Sequence, residues 1–196
     1  MRTYLLAAAL LIAAPTYAAD EPDHAIHEEL RGVLTTMQNA INAGKFDDML
    51  PVVSRDVRAT PITQEVIDKR DEVPGYFKRW FGPGGFLKSL QMTLTADALT
   101  ELSADKTWGL VRGAGLEHYT LADGRIYDMK TRWTAVVQKE GDGKWRLRSI
   151  HIGTDFLDNP ILTDAKNKAV TVGLAGAGGG VLVGLVLGFL IRRRKK

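Results

Sequence analysis

There is no cysteine anywhere in the 196 residues. Disulfides, thiolate nucleophiles and sulfur-ligated metals are thereby excluded. Histidine is scarce, at four, and His24, His27 and His118 fall in no spacing that makes a metal site with a third ligand. His24 and His27 read as a solvated helix start. No glycine-rich phosphate loop follows a strand-like run, and no nucleophile motif is present, so no cofactor and no metal are expected. A basic surface is missing too, although the formal charge is +3. Six of the 26 Lys and Arg lie at the ends, at Arg2 and at 192–196, leaving 20 against 23 Asp and Glu, all of which lie between Asp20 and Asp164. The body is therefore mildly acidic, at about −3, and no nucleic-acid partner is expected.

What is present at the two ends concerns membranes. Arg2 precedes an apolar run from Tyr4 to Ala14, and Thr16 and Ala18 are small residues at the −3 and −1 positions of a cut after Ala18. This pattern is that of a secretory signal peptide over residues 1–18, too short to span comfortably. At the other end, a polar linker over 163–168 leads into residues 169–191, which carry no charge. As a helix that run is about 35 Å long, enough to cross a hydrocarbon core of about 30 Å. A basic tail, 192–196, follows at once, which predicts a cytoplasmic C-terminus and a main domain on the periplasmic or extracellular side of an inner membrane. Gly176, Gly180, Gly184 and Gly188 recur every four residues, a row that lets a second helix pack closely, so a homo-oligomer is expected. The alternative for this end is a cleavable sorting signal.

Between the ends, residues 19–162 read as one domain. Ile26, Leu30, Val33, Leu34, Met37 and Ile41 form an apolar stripe at helical spacing over 23–43, with Gly44 just past its end. Phe46, Met49, Leu50 and Val53 predict a second, short helix interrupted by Pro51, and 56–60 a short strand. Asp71 is a candidate cap for a third helix that buries Val73, Phe77, Trp80 and Phe81. Leu90, Met92, Leu94, Ala96 and Ala98 then alternate with polar residues, a period-two pattern, and 108–119 continues as strand. Helices first and a long sheet afterwards is an α+β order.

The last part of the domain is a long hairpin. Tyr127, Met129, Thr131, Trp133, Ala135 and Val137 share one face of its first strand. Trp145, Leu147, Ser149 and His151 alternate along the second, and Glu140-Gly141-Asp142-Gly143 between them has turn chemistry. The run Arg132-Trp133-Thr134, Lys139, Trp145, His151 resembles the closing hairpin of the SnoaL-like branch of the nuclear transport factor 2-like superfamily, which includes ketosteroid isomerase and polyketide cyclases. Gly44, Phe46, Leu50 and Asp56 resemble its second helix and first strand, and the resemblance covers about Ala25 to Leu162. It implies an α+β fold in which three N-terminal helices pack in a curved, cone-shaped antiparallel sheet, followed here by a membrane anchor. It also implies a cavity on the inner face, and dimers are common in the superfamily.

Alternation puts Trp108, Leu110, Arg112, Ala114 and Leu116 on one face, expected to be the inner one. Arg112 among apolar neighbours reads either as an anion site or as the partner of a carboxylate such as Asp128 or Glu117. His151 reads as a pocket base or donor, or as a core histidine. Tyr127 and Trp133 line the ligand space or belong to the core. Ile150 and Ile152 make the opposite face apolar, which fits a dimer contact. In ketosteroid isomerase the base lies just after the first strand; the matching positions, Thr60 and Pro61, cannot serve. The expected function is binding of a small apolar or weakly acidic ligand, or of a protein partner, through Arg112, Tyr127, Trp133 and His151. The alternative is an isomerase, cyclase or hydrolase with His151 as its catalytic candidate beside Arg112.

Overall fold

The computed structural model describes residues 22–194; the expected signal peptide and the last two residues of the basic tail lie outside them. Helix α1 spans His24–Asn42 and a 3-10 turn spans Phe46–Val52. Pro51, lacking an N–H, keeps that turn from lengthening into an α-helix. Strand β1 is Val53–Thr60 and α2 is Val73–Phe81. Four strands follow, β2 (Leu87–Ala96), β3 (Glu101–Leu102), β4 (Trp108–Leu121) and β5 (Ile126–Lys139), then β6 (Trp145–Thr154) and the long α3 (Pro160–Arg194). Helix α2 begins after a 3-10 turn at Arg70–Glu72, with no side-chain cap from Asp71.

α1 ends as its sequence requires. Gly44 takes φ +65°, and the N–H groups of Gly44 and Lys45 bond to the carbonyls of Ile41 and Ala40, closing the last turn. The helix lies across the sheet and also covers an open strand edge. Asn42 accepts from the Met92 N–H at 2.7 Å and donates to the Met92 carbonyl at 2.9 Å, while Gln38 accepts from the Leu94 N–H at 2.8 Å. These amides satisfy β2, which would otherwise present unpaired backbone groups.

The sheet order is β1-β6-β5-β4-β2, with β3 also pairing β4. The expected all-antiparallel sheet is in fact mixed, because β1 runs parallel to β6. Chain connectivity explains this: α2 and four strands separate β1 from β6, so no hairpin constrains their direction. β5 behaves as its alternation predicts, with Tyr127, Met129, Thr131, Trp133, Ala135 and Val137 all buried. β4 and β6 depart from expectation. In β4 it is Gly109, Gly113, Gly115, Glu117, Tyr119 and Leu121 that are buried, while Trp108, Leu110, Arg112 and Leu116 face outward. In β6, Leu147 pairs Val137 but Ser149 pairs Val136, so one extra residue bulges at Arg148. A bulge inverts the alternation beyond it.

α3 is long and apolar enough to cross a bilayer, and its described side chains from Val170 onward are exposed. Space is open around Gly176, Gly180 and Gly184. Its first turns are fixed to the sheet: the Tyr127 hydroxyl donates to Asp164 at 2.8 Å, and Arg125 lies 3.7 Å from the same carboxylate.

Candidate functional site: an apolar cone with one buried carboxyl

The concave side of the sheet and the helices enclose two adjoining cavities, of about 110 Å³ and 130 Å³. Met37, Leu147 and Ile150 belong to both and form the partition between them. The first cavity lies under the N-terminal half of α1 and is bounded by His27, Leu30, Leu94, Val111, Trp133 and Val137. His27, expected to be solvated, is buried here at 6% exposure, because it falls on the same helical face as Leu30 and Leu34. The second lies between β1, α2 and the inner faces of β2, β4 and β6, and its walls include Ile41, Val57, Tyr76, Phe77, Met92 and Ile152. Phe46 stacks on Phe77 at 4.1 Å and braces the α2 wall from behind.

Polar groups enter the second cavity at one place. Glu117, 3% exposed, accepts hydrogen bonds from the Thr131 hydroxyl at 2.7 Å and from the Tyr119 hydroxyl. Thr131 reaches it because its direct neighbour across the strands is Gly115; a Cβ there would sit 2.4 Å from the Thr131 oxygen. Gly113 likewise gives way to the Trp133 ring, which lies across it and donates to the Ala114 carbonyl at 3.1 Å. Near the carboxyl, the Tyr76 hydroxyl pairs with that of Thr63 at 3.2 Å. Burial raises the pKa of Glu117 above the usual carboxylate range, and the two donated hydrogen bonds only partly oppose this. Burial, with Glu117 close by, also pushes the Tyr119 hydroxyl up, so it remains a donor at any physiological pH. Among the described residues, Glu117 is the one ionisable carboxyl on the wall of either apolar cavity.

The residues singled out from sequence are dispersed. Arg112 stands on the outer face with its side chain 75% exposed, its Nε 4.0 Å from Asp97. Arg132 holds that same carboxylate with a 2.9 Å hydrogen bond and lowers its pKa. The partners expected for Arg112 are engaged elsewhere, Asp128 with His118 at 2.6 Å and Glu117 inside the cone. His151 is exposed opposite Thr134 and Thr60, turned outward by the bulge. The same inversion sends Ile150 and Ile152 inward to line the cavity, where a dimer contact was expected. Tyr127 is buried beneath the start of α3, and Trp133 walls the first cavity. No group of three or more His, Asp or Glu suited to a metal occurs among the described residues.

Solved structures of similar shape are numerous, and they decide what this shape is. A ketosteroid isomerase-like protein from Erwinia carotovora atroseptica superposes with a TM-score of 0.56 at 13% identity, over 66% of this chain and 95% of its own. This chain has the nuclear transport factor 2-like cone fold. A hexachlorocyclohexane dehydrochlorinase superposes with a TM-score of 0.57 at 9% identity, over 67% and 86% of the two chains. An uncharacterised protein of cystatin-like fold from Caulobacter vibrioides gives 0.55 at 18% identity, over 74% and 96%. At such identities the likeness concerns the fold alone. No family model matches the sequence, and no curated protein matches it either.

Proposed function

We propose that this chain is a membrane-tethered cone domain, on the periplasmic or extracellular side, that holds a small apolar ligand carrying one polar group. The observation that carries the proposal is the second cavity, an apolar chamber with the buried Glu117–Tyr119 pair on its wall, Glu117 being held by Thr131 as well. A pocket of this kind binds by burial and orients by its few polar groups. Its size sets the ligand class, since a dry cavity of about 150 Å³ is enough for benzene. The ligand is therefore about one ring in size, or longer if it displaces the flexible Met37 side chain and enters the adjoining cavity.

The test uses 4-methylphenol and toluene as probes. Both are expected to raise the melting temperature of the full-length protein, 4-methylphenol by more. At a hundredfold excess over Kd the linkage is worth about 2.7 kcal/mol, a shift of several degrees for a chain of this size. Ala59→Leu, which adds three carbons at the cavity wall, should abolish both shifts, and Glu117→Gln should reduce only that of the phenol. The absence of any shift, or an equal shift in Ala59→Leu, rejects the pocket.

A second reading is supported by Glu117 itself. A carboxyl whose pKa burial raises is a stronger base when ionised, and can take a proton from a substrate carbon and return it. With the Tyr119 hydroxyl beside it as a donor, an isomerase or lyase acting on an apolar substrate is the enzyme class this chemistry fits. The similarly shaped dehydrochlorinase and isomerase-like proteins lend weight to that class.

A further inference from the structure

Several incompletely buried residues of the second cavity's wall sit at or near the ends of their elements. Pro61, Ile62 and Thr63 follow the end of β1, Phe81 ends α2, Leu87 begins β2, and Ile152 lies near the end of β6. Strand pairing sets Leu87 opposite Leu121, at the end where β4 turns into β5, and β1 and β6 both run toward that end, with Thr60 and Ile152 level with Thr134 and Trp133. α3 departs from this same end, tied there through Tyr127 and Asp164.

That end is edged with apolar side chains. Phe86 is 55% exposed and Ile126 56%, beside the β4–β5 turn, where the Ala122 N–H bonds to the Phe86 carbonyl. Phe156 and Leu157 are 77% and 66% exposed. They are held outward by an ordered turn: Asp155 accepts from the Leu157 N–H at 2.9 Å and the Asp158 N–H at 3.2 Å, and the Asn159 amide donates to the Asp155 carbonyl at 2.9 Å. A turn fixed in this way presents two large apolar groups to whatever lies beyond it.

What lies beyond is set by the helix. Asp164, fixed to the sheet, lies five positions before Ala169, where the charge-free run begins. As helix that interval is about 7 Å. The polar layer on each side of a hydrocarbon core is roughly 5–8 Å deep. An intact helix therefore leaves this end of the domain no room to stand clear of the headgroups.

We propose that the α3 end of the cone is a lipid-contacting face, with Phe86, Ile126, Phe156 and Leu157 seated among the headgroups and the cavity mouth turned toward the bilayer. This rests on the reading of α3 as a membrane span. It makes the ligand a lipophile dissolved in the membrane rather than a solute reaching the cone from water.

Because the chain has no cysteine, single labels can be placed without ambiguity. Phe86→Cys, Leu157→Cys, Ala104→Cys at the opposite end and Val183→Cys in the span are each labelled with a polarity-sensitive fluorophore. Each full-length protein is reconstituted in phosphatidylcholine vesicles with nitroxide-bearing lipids, the quencher placed near the headgroup or deep in the chain. Headgroup quencher is expected to remove at least half of the emission at 86 and 157 and none at 104, and the deep quencher to act at 183. Quenching at 183 without quenching at 86 and 157 overturns the contact face but leaves the span standing. No quenching at 183 overturns both.

Discussion

A carboxyl buried as deeply as that of Glu117 loses its hydration when it ionises, and two hydroxyl donors replace only part of it. The consequence for stability has a definite sign. With the folded-state value raised above the unfolded one, there is a pH window between the two in which the unfolded chain has released a proton that the folded protein keeps. Across that window rising pH favours unfolding, and stability falls until the folded-state value is passed. The surface carboxylates with lowered values, Asp97, Asp105, Asp123, Asp142 and Asp164, act in the opposite direction and only in acid, below about pH 4. Between pH 5 and pH 8 the Glu117 effect should therefore stand alone among them. Glu117→Gln is expected to lose less stability than the wild type on going from pH 5 to pH 8, measured by urea denaturation. Parallel losses in the two proteins would mean that Glu117 ionises as freely folded as unfolded.

β4 shows how a small residue can decide what a strand does. Gly115 is required because Thr131 occupies the space its side chain would take. Gly115→Ala should cost about 1–3 kcal/mol, the range for overpacking a filled site. Thr131→Ala in the same chain should recover part of that cost, since the clashing oxygen is gone, and a double-mutant cycle from chemical denaturation reads the coupling. Additive losses would place the strain elsewhere. The same glycines explain why sequence alternation assigns β4 to the wrong phase. Trp108, Leu110 and Leu116 are the large apolar residues of the strand and by composition belong inside, yet Trp133 and Thr131 of β5 fill the inner space over Gly113 and Gly115. The signal was in the sequence as Gly113, Gly115, Glu117 and Tyr119 at every second position, legible only once β5 is known to be its neighbour. In β6 the bulge at Arg148 has no local sequence signature, so Ser149 and His151 read as inward until the pairing with β5 is seen. The apolar stripe of α1 and the alternation of β5 needed no such context, because each keeps one continuous face toward the interior, although in α1 that face also includes His27.

At the scale of the whole molecule, the α+β order and the cone were legible, while the direction of β1 and the identity of the polar group in the cavity depended on long-range pairing. The proposed tether makes a prediction about orientation. A reporter active only outside the cytoplasm should be active when fused after Leu162 and silent when fused after Lys196; activity at the second junction would reverse or abolish the single-pass arrangement. The bulge in β6 also bears on which side chains line the cavity. The strand carries two complete linings side by side, Ile150 with Ile152 and Ser149 with His151, and the position of one unpaired residue selects which of them the cavity receives. Moving that irregularity beyond Ile152 would exchange a dry wall for one bearing an imidazole without altering any residue of either set. Sliding that defect along the strand would thus re-line the cavity with a set of side chains that the strand now turns away from it.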